Sequence, residues 1–176
     1  MFTLSQLNTL KSAILADPNL NTQVANGETG YIASYLNQPS STTVWSTVVK
    51  VQDIYDAIVW ANFTPASTID STQLWANRAL ACQGKQFNLQ TMLTGRDVIN
   101  GSKSNIRAGL QDALTGIPSK ADGTNQNAGW ASVQLVLQRF ATLGEKVFVT
   151  GGSPGTLTWE GEVTNDDVVA SLNGGY

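Results

Sequence analysis

Apolar residues recur at helical spacing through most of this chain, broken by short polar stretches. Leu4, Leu7, Leu10 and Ile14 form one stripe, and Thr3 followed by Gln6 has the form of a capping box. Residues 4–16 are therefore predicted as a helix, stopped at Asp17-Pro18 because the residue before proline resists the α region. The polar segment 19–30 is predicted as loop, and 31–39 as a short helix closed by Pro39. Trp45, Val48 and Val49 lead into a helix over 51–61, where Val51, Ile54, Tyr55, Ile58 and Val59 keep the helical period. A long helix is predicted over 73–93, with Gly84 as its weak point and Gly95 as a C-terminal cap. Asn100-Gly101 is predicted as a turn. Ser104 then caps a helix carrying Ile106, Leu110 and Leu114 and ending at Gly116. Residues 117–129 are predicted as a long polar loop, and 130–140 as a helix with Trp130, Val133, Leu137 and Phe140 on one face.

The tripeptide Trp-Ala-Asn occurs twice, at 60–62 and 75–77. The flanks do not match, so the copies are not a structural repeat. Pro65 separates them, and Asp70 or Ser71 can cap the next helix. The first copy is predicted to close one helix and the second to open the next. Trp75, beside Leu74 and Ala79, is predicted on the buried stripe, with the two tryptophans packing near a shared corner.

After Phe140 the pattern changes. Thr142 to Glu145 is a second capping box, "GGSPG" (151–155) reads as a glycine hinge, and "TLTWEGEV" (156–163) alternates in the manner of a strand. Thr164 to Asp167 is a third cap, before a helix carrying Val168, Val169 and Leu172, and the terminal "NGGY" is predicted to be loose. The predicted fold is mainly α: a helical bundle with a short C-terminal β arm or hairpin. Residues 1–150 would form the bundle and 151–176 the hinge, arm and terminal helix.

Composition narrows the function. Only 13% of residues are charged, against about 25% in a typical domain, and amides and hydroxyls fill the polar positions instead. Such a surface is cheap to desolvate and suits a subunit packed against others. Histidine is absent, which removes the usual general base near neutral pH and the commonest metal ligand. The net charge of −3 gives no global footprint for nucleic acid. Cys82 is alone and lies in an apolar run, where it reads as a buried thiol. No window has the length of a membrane span, and the N-terminus lacks the pattern of a signal peptide, so a soluble protein made in the cytoplasm is expected.

The remaining candidates for chemistry are few. Asp53 and Asp56 on one helix, and Asp166 and Asp167 at the start of another, read as solvated first turns. Glu160 and Glu162 have no third ligand beside them. "TGGSPGT" lacks the Gly-Lys-Ser/Thr ending of a phosphate loop. Lys103 and Arg107 at a helix start could meet an anion. No catalytic residue, metal, cofactor or small-molecule substrate is expected, and the chain is read as not an enzyme.

Four segments carry a resemblance: "LSQLNTLKSAILADPNL", "IYDAIVWANFTP", "NIRAGLQDAL" and "QRFATLGEKVFVTGGSPGTLTWEGEVTNDDV". In the last, Arg139, Ala141, Thr142, Glu145, Lys146, Gly151, Gly152, Trp159, Glu160, Gly161, Asp167 and Val168 follow the family's order, and Phe140 stands where the family tends to have proline. The chain resembles small virion proteins of tailed bacteriophages, tail-associated or at the head-to-tail connector. The resemblance implies a structural role, best fitted by a neck adaptor assembling in a ring of its own copies on the portal or other neck and tail proteins. It would be located in the virion, near packaged DNA and away from membranes. On this reading Leu157, Trp159 and Val163 on the arm, with Lys103 and Arg107, are the expected interface residues. A capsid decoration or tail-fibre-anchoring protein is the second structural reading. A carbohydrate-binding module using Trp45, Trp60, Trp75, Trp130 and Trp159 is the alternative of another class.

Overall fold

The computed structural model describes residues 2–70 and 73–175. In chain order these form α1 (Leu4–Ala16), α2 (Asn21–Asn26), α3 (Thr29–Leu36), β1 (Pro39–Trp45), β2 (Val49–Lys50), α4 (Val51–Ala57), α5 (Trp75–Leu93), β3 (Val98–Ile99), α6 (Ser104–Leu114), α7 (Trp130–Val136), β4 (Gln138–Thr142), α8 (Leu143–Lys146), β5 (Val149–Thr150), β6 (Thr156–Leu157) and α9 (Asn165–Asn173). Single 3₁₀ turns cover Pro18–Leu20 and Trp60–Phe63. The strands make three two-stranded sheets, β1 with β4, β2 with β3 and β5 with β6.

The predicted fold class is therefore corrected. Helix accounts for 53% and strand for 13%, a mixed α/β fold in place of a helical bundle with a C-terminal arm. Two causes are local. β1 is built from "PSSTTVW", in which Val44 is the only fully buried side chain, so no apolar alternation marks it. The predicted 130–140 helix stops at Val136, and its last residues become β4, which leaves Phe140 exposed instead of on a helical face.

Contacts divide the chain into two compact units, 1–44 with 139–176 and 45–138. The discontinuous unit has a core of Leu7, Leu10, Ile14, Leu20, Ile32, Leu36, Phe148, Val163 and Val168. Its α1 starts at the predicted capping box, with Gln6 N donating to Thr3 Oγ1 and Thr3 N donating to the Gln6 side chain. Leu4, predicted on the stripe, is 61% exposed. The segment predicted as loop folds into a 3₁₀ turn and α2, because Asp17 caps Asn19 N, Leu20 is buried, and Gly27 at φ +70° ends the helix. Gly27 supplies a left-handed turn that residues with a Cβ adopt at a cost.

In the same unit the expected arm is packed rather than free. β6 pairs with β5, Val149 opposite Leu157 and Thr150 opposite Thr156. Gly155 bridges to Val44. Trp159 stacks on Phe2 with ring centroids 4.2 Å apart and also meets Phe148. Asn37 holds the backbone of Val163 from both sides, accepting from its N–H and donating to its carbonyl, each at 2.9 Å. The C-terminal end is also bonded, since Gly175 N donates to Ala170 O.

The continuous unit has a core of Ile54, Ile58, Phe63, Cys82, Leu89, Leu93, Leu110, Leu114, Ile117, Val133 and Leu137. Its two ends meet, because Ser46 N donates to Leu137 O at 2.9 Å. At that point a Cβ on Gly101 would lie 2.9 Å from Ser46 O and 3.2 Å from Leu137 O, so the predicted Asn100-Gly101 turn tolerates no side chain. The helix predicted over 51–61 ends at Ala57, since Ile58 is extended, and Val59 is exposed. Residues 117–129 are not a plain polar loop. Ile117 and Ala128 are buried, and Ile117 and Gln126 exchange two backbone hydrogen bonds. Ser104 begins α6 without capping it, and Lys103 holds the cap position with no side-chain bond.

Candidate functional site

Both copies of Trp-Ala-Asn lie in the continuous unit, in different settings. The first forms the 3₁₀ turn, where Trp60 packs between Tyr55 and Phe63 and its Nε1 donates to Tyr55 O. The second opens α5. Leu74 rather than Asp70 holds the cap position, without a side-chain cap bond, although Asp70 Oδ1 accepts from Trp75 N at 2.7 Å, while Ser71 lies outside the described residues. Trp75 is 38% exposed, because the buried stripe of α5 is Arg78, Cys82, Leu89 and Leu93 rather than the one through Leu74, Trp75 and Ala79.

Arg78 is the residue that sequence reasoning missed. It is fully buried and makes no ion pair among the described residues. Its Nη2 donates to Ser67 O and Ile69 O at 3.0 and 2.9 Å, and its Nη1 reaches Ser119 O and Lys120 O at 3.5 and 3.4 Å. Carbonyl dipoles from two loops thus take the place of a counterion. Burial pushes the neighbouring Cys82 thiol above its ordinary pKa, with the Arg78 charge opposing, so this cysteine is held as a neutral core group. The available signal was spacing. Cys82, Leu89 and Leu93 share one face, and that face runs back one turn to position 78.

Lys103 is exposed, and Arg107 beside it is already engaged. Arg107 Nη1 donates to Gly101 O and Ser102 O at 2.8 and 2.7 Å, and its guanidinium lies 4.3 Å from the Trp45 ring centroid. Burial lowers its pKa. It braces the tight turn under β3, which leaves less of it for an anion. Lys50, Tyr55, Arg96 and Asp97 line a cleft of about 420 Å³ with charges of both signs.

In the discontinuous unit the charged centre is Arg139, Glu145 and Glu160. Arg139 meets Glu145 in a fork at 2.7 and 2.8 Å and reaches Glu160 at 2.7 Å. Glu145 also accepts from Thr142 N and Gly161 N. Burial pushes the Glu145 carboxyl up, but the Arg139 hydrogen bonds and charge, with the two backbone donors, outweigh it and hold the pKa below the ordinary carboxylate value. The same pairing raises Arg139. This centre ties α8 to the 160–161 turn. Trp159 is half-buried, Leu157 is half-buried, and Val163 is 1% exposed, so the three expected arm residues face their own unit.

Among the described residues no group of three or more potential ligands could hold a metal. No helix there is long and apolar enough to cross a membrane. The described surface does offer apolar area in the continuous unit, where Val48, Ile69, Leu74, Leu80, Phe87 and Leu135 are all more than half exposed. The chain matches no protein family, no curated protein and no solved structure.

Proposed function

We propose that this chain is a structural subunit of a tailed-bacteriophage virion, a head-to-tail adaptor that assembles with copies of itself in a ring. The observation that carries the reading is the exposure of large apolar side chains on the continuous unit of a chain with few charges. Isolated in water, such a surface is poorly protected against association, and covered by neighbours it becomes an interface. The contacts would be made by the outer faces of that unit, since the C-terminal segment is spent inside its own core. The tryptophan-based alternative finds less support. Trp45, Trp60 and Trp130 pack against one core and Trp159 against the other, which leaves Trp75 as the most open ring.

The test is the assembly state and its position. Light scattering and negative-stain microscopy on purified protein should give a closed ring, and labelled protein should bind purified portal rings. A chain that stays monomeric at high concentration and binds no portal would overturn the reading.

A further inference from the structure

The cleft of about 420 Å³ in the continuous unit has a volume in the range of small-ligand sites. Backbone bonds hold its walls together. β2 and β3 set Lys50 opposite Val98, and Val51 N donates to Asp97 O at 2.9 Å. Val49, Val51 and Ile99 are buried and anchor these segments to the core. Tyr55 lines the cleft from α4, with its ring held against Trp60 at 5.7 Å between centroids.

Uncommitted charge distinguishes this cleft. Among the described residues Lys11, Arg78, Lys85, Arg107 and Arg139 each donate to a carbonyl or a carboxylate. Lys50 and Arg96 make no ion pair there, and Asp97, which lines the same cleft, pairs with neither of them. Two cations and one anion thus share one recess without neutralising each other.

We propose that the cleft binds a small zwitterion with two negative groups and one positive, an acidic α-amino acid. The pattern of charge selects it. Two carboxylates answer Lys50 and Arg96, and the planar guanidinium fork matches a carboxylate. The ammonium answers Asp97. Val51 and Val98 supply apolar lining for the methylene stem. Inorganic phosphate or a nucleic-acid backbone would answer the cations but set Asp97 against like charge. A neutral sugar would leave both cations unanswered. The binding stands apart from the virion reading, since it needs one chain and no neighbour.

The test titrates the full chain at constant ionic strength and reads amide chemical shifts. L-Glutamate or L-aspartate should shift 50–52 and 96–98 saturably, with a Kd on the order of 1 mM. Glutamine and inorganic phosphate should bind at least about tenfold more weakly, as expected for losing a charge-assisted contact. Lys50→Ala and Arg96→Ala should each weaken the acidic amino acid by about the same factor. Both positions are exposed, so circular dichroism should be unchanged. Asp97→Asn should remove the need for the ammonium, so that glutarate binds at least as well as glutamate. The proposal is overturned by the absence of a saturable shift with either amino acid, by phosphate binding as tightly, or by an Asp97→Asn variant that still prefers glutamate to glutarate.

Discussion

The two units solve the same folding problem with different local chemistry. In the discontinuous unit α1, α8 and α9 each begin at a complete capping box, on Thr3, Thr142 and Thr164. In the continuous unit α4, α5, α6 and α7 begin without a side-chain bond from the cap residue. Charge divides the same way. The discontinuous unit has three basic and seven acidic residues, net −4, and the continuous unit seven basic and six acidic, net +1. Glu145 and Asp167 are buried in caps of the first unit, while the second buries Arg78 among carbonyls. Large apolar side chains are exposed in both: Leu4, Leu15, Tyr31 and Phe140 are more than half exposed in the first unit, and Val48, Ile69, Leu74, Leu80, Phe87 and Leu135 in the second. One unit boxes three of its helix starts, though not α2 or α3, and buries two capping carboxylates, while the other starts α4 to α7 without a bond from the cap residue and buries a cation among carbonyls.

The largest expected effects are in the continuous unit's interior. Arg78→Leu leaves the Ser67, Ile69, Ser119 and Lys120 carbonyls without their donor, and the expected cost is about 3–5 kcal/mol. Hydrogen exchange should rise first at 67–70 and 117–122. A variant that keeps both loops protected would show that the carbonyls do not depend on Arg78. Leu110→Ala, at a fully buried position of α6, should cost about 2–5 kcal/mol by denaturant titration. A change under about 0.5 kcal/mol would mean that the α6 stripe is not core, and would blur the division between a packed interior and a free outer face.

Next in size is the charged centre of the other unit. Glu145→Gln loses the fork to Arg139 and should cost about 2–3 kcal/mol, less than for a fully dry pair because Arg139 is partly exposed. The pH dependence follows from the direction of the shift. The Glu145 pKa is depressed in the folded chain, so its stabilisation is complete above the ordinary carboxylate value and is lost as pH falls through the lower folded value. The wild type should therefore lose more stability than Glu145→Gln between about pH 5 and pH 3. Parallel profiles would remove Glu145 from the account of acid sensitivity.

The contrast also explains how much could be read from the sequence. All three boxed helix starts were legible, because a capping box is a local code of four residues whose bonds form within the same turn. The cores of α1 and α6 were legible through Leu10, Ile14, Leu110 and Leu114. β1 was not, because its hydroxyl-rich sequence gains strand geometry from pairing with β4. The end of α7 was missed because Leu137 fits the helical period and is buried, while the chain beyond it turns into a strand. The arm was misjudged for a related reason. The alternation of 156–163 marks an extended segment with one apolar face, but whether that face meets Phe2 or a neighbour depends on residues far away in sequence. Arg78 escaped because a charged residue on an apolar stripe reads as an interruption until the carbonyls around it are known.

The smallest effect bears most directly on the contrast between the units. Thr164→Ala removes the side chain that accepts from Asp167 N, and leaves the Asp167 carboxylate with Thr164 N alone of the two donors that Thr164 supplied. The start of α9 should lose about 1 kcal/mol, as when a threonine cap is replaced by alanine elsewhere. Ser104→Ala is the matched change in the continuous unit, at the start of α6. Ser104 is exposed, and it sits inside the first turn rather than at the cap. Alanine is also the better helix former, so this change should lie within about 0.5 kcal/mol of neutral. Replacing Lys103 with Ser instead puts a hydroxyl at the vacant cap position and should stabilise α6 by a few tenths to about 1 kcal/mol. Thermal melts of the three variants decide the matter together. Equal losses from Thr164→Ala and Ser104→Ala would show that both units depend on their helix starts alike. A gain from Lys103→Ser beside a loss from Thr164→Ala would show that the continuous unit holds its helices by packing and leaves their ends improvable.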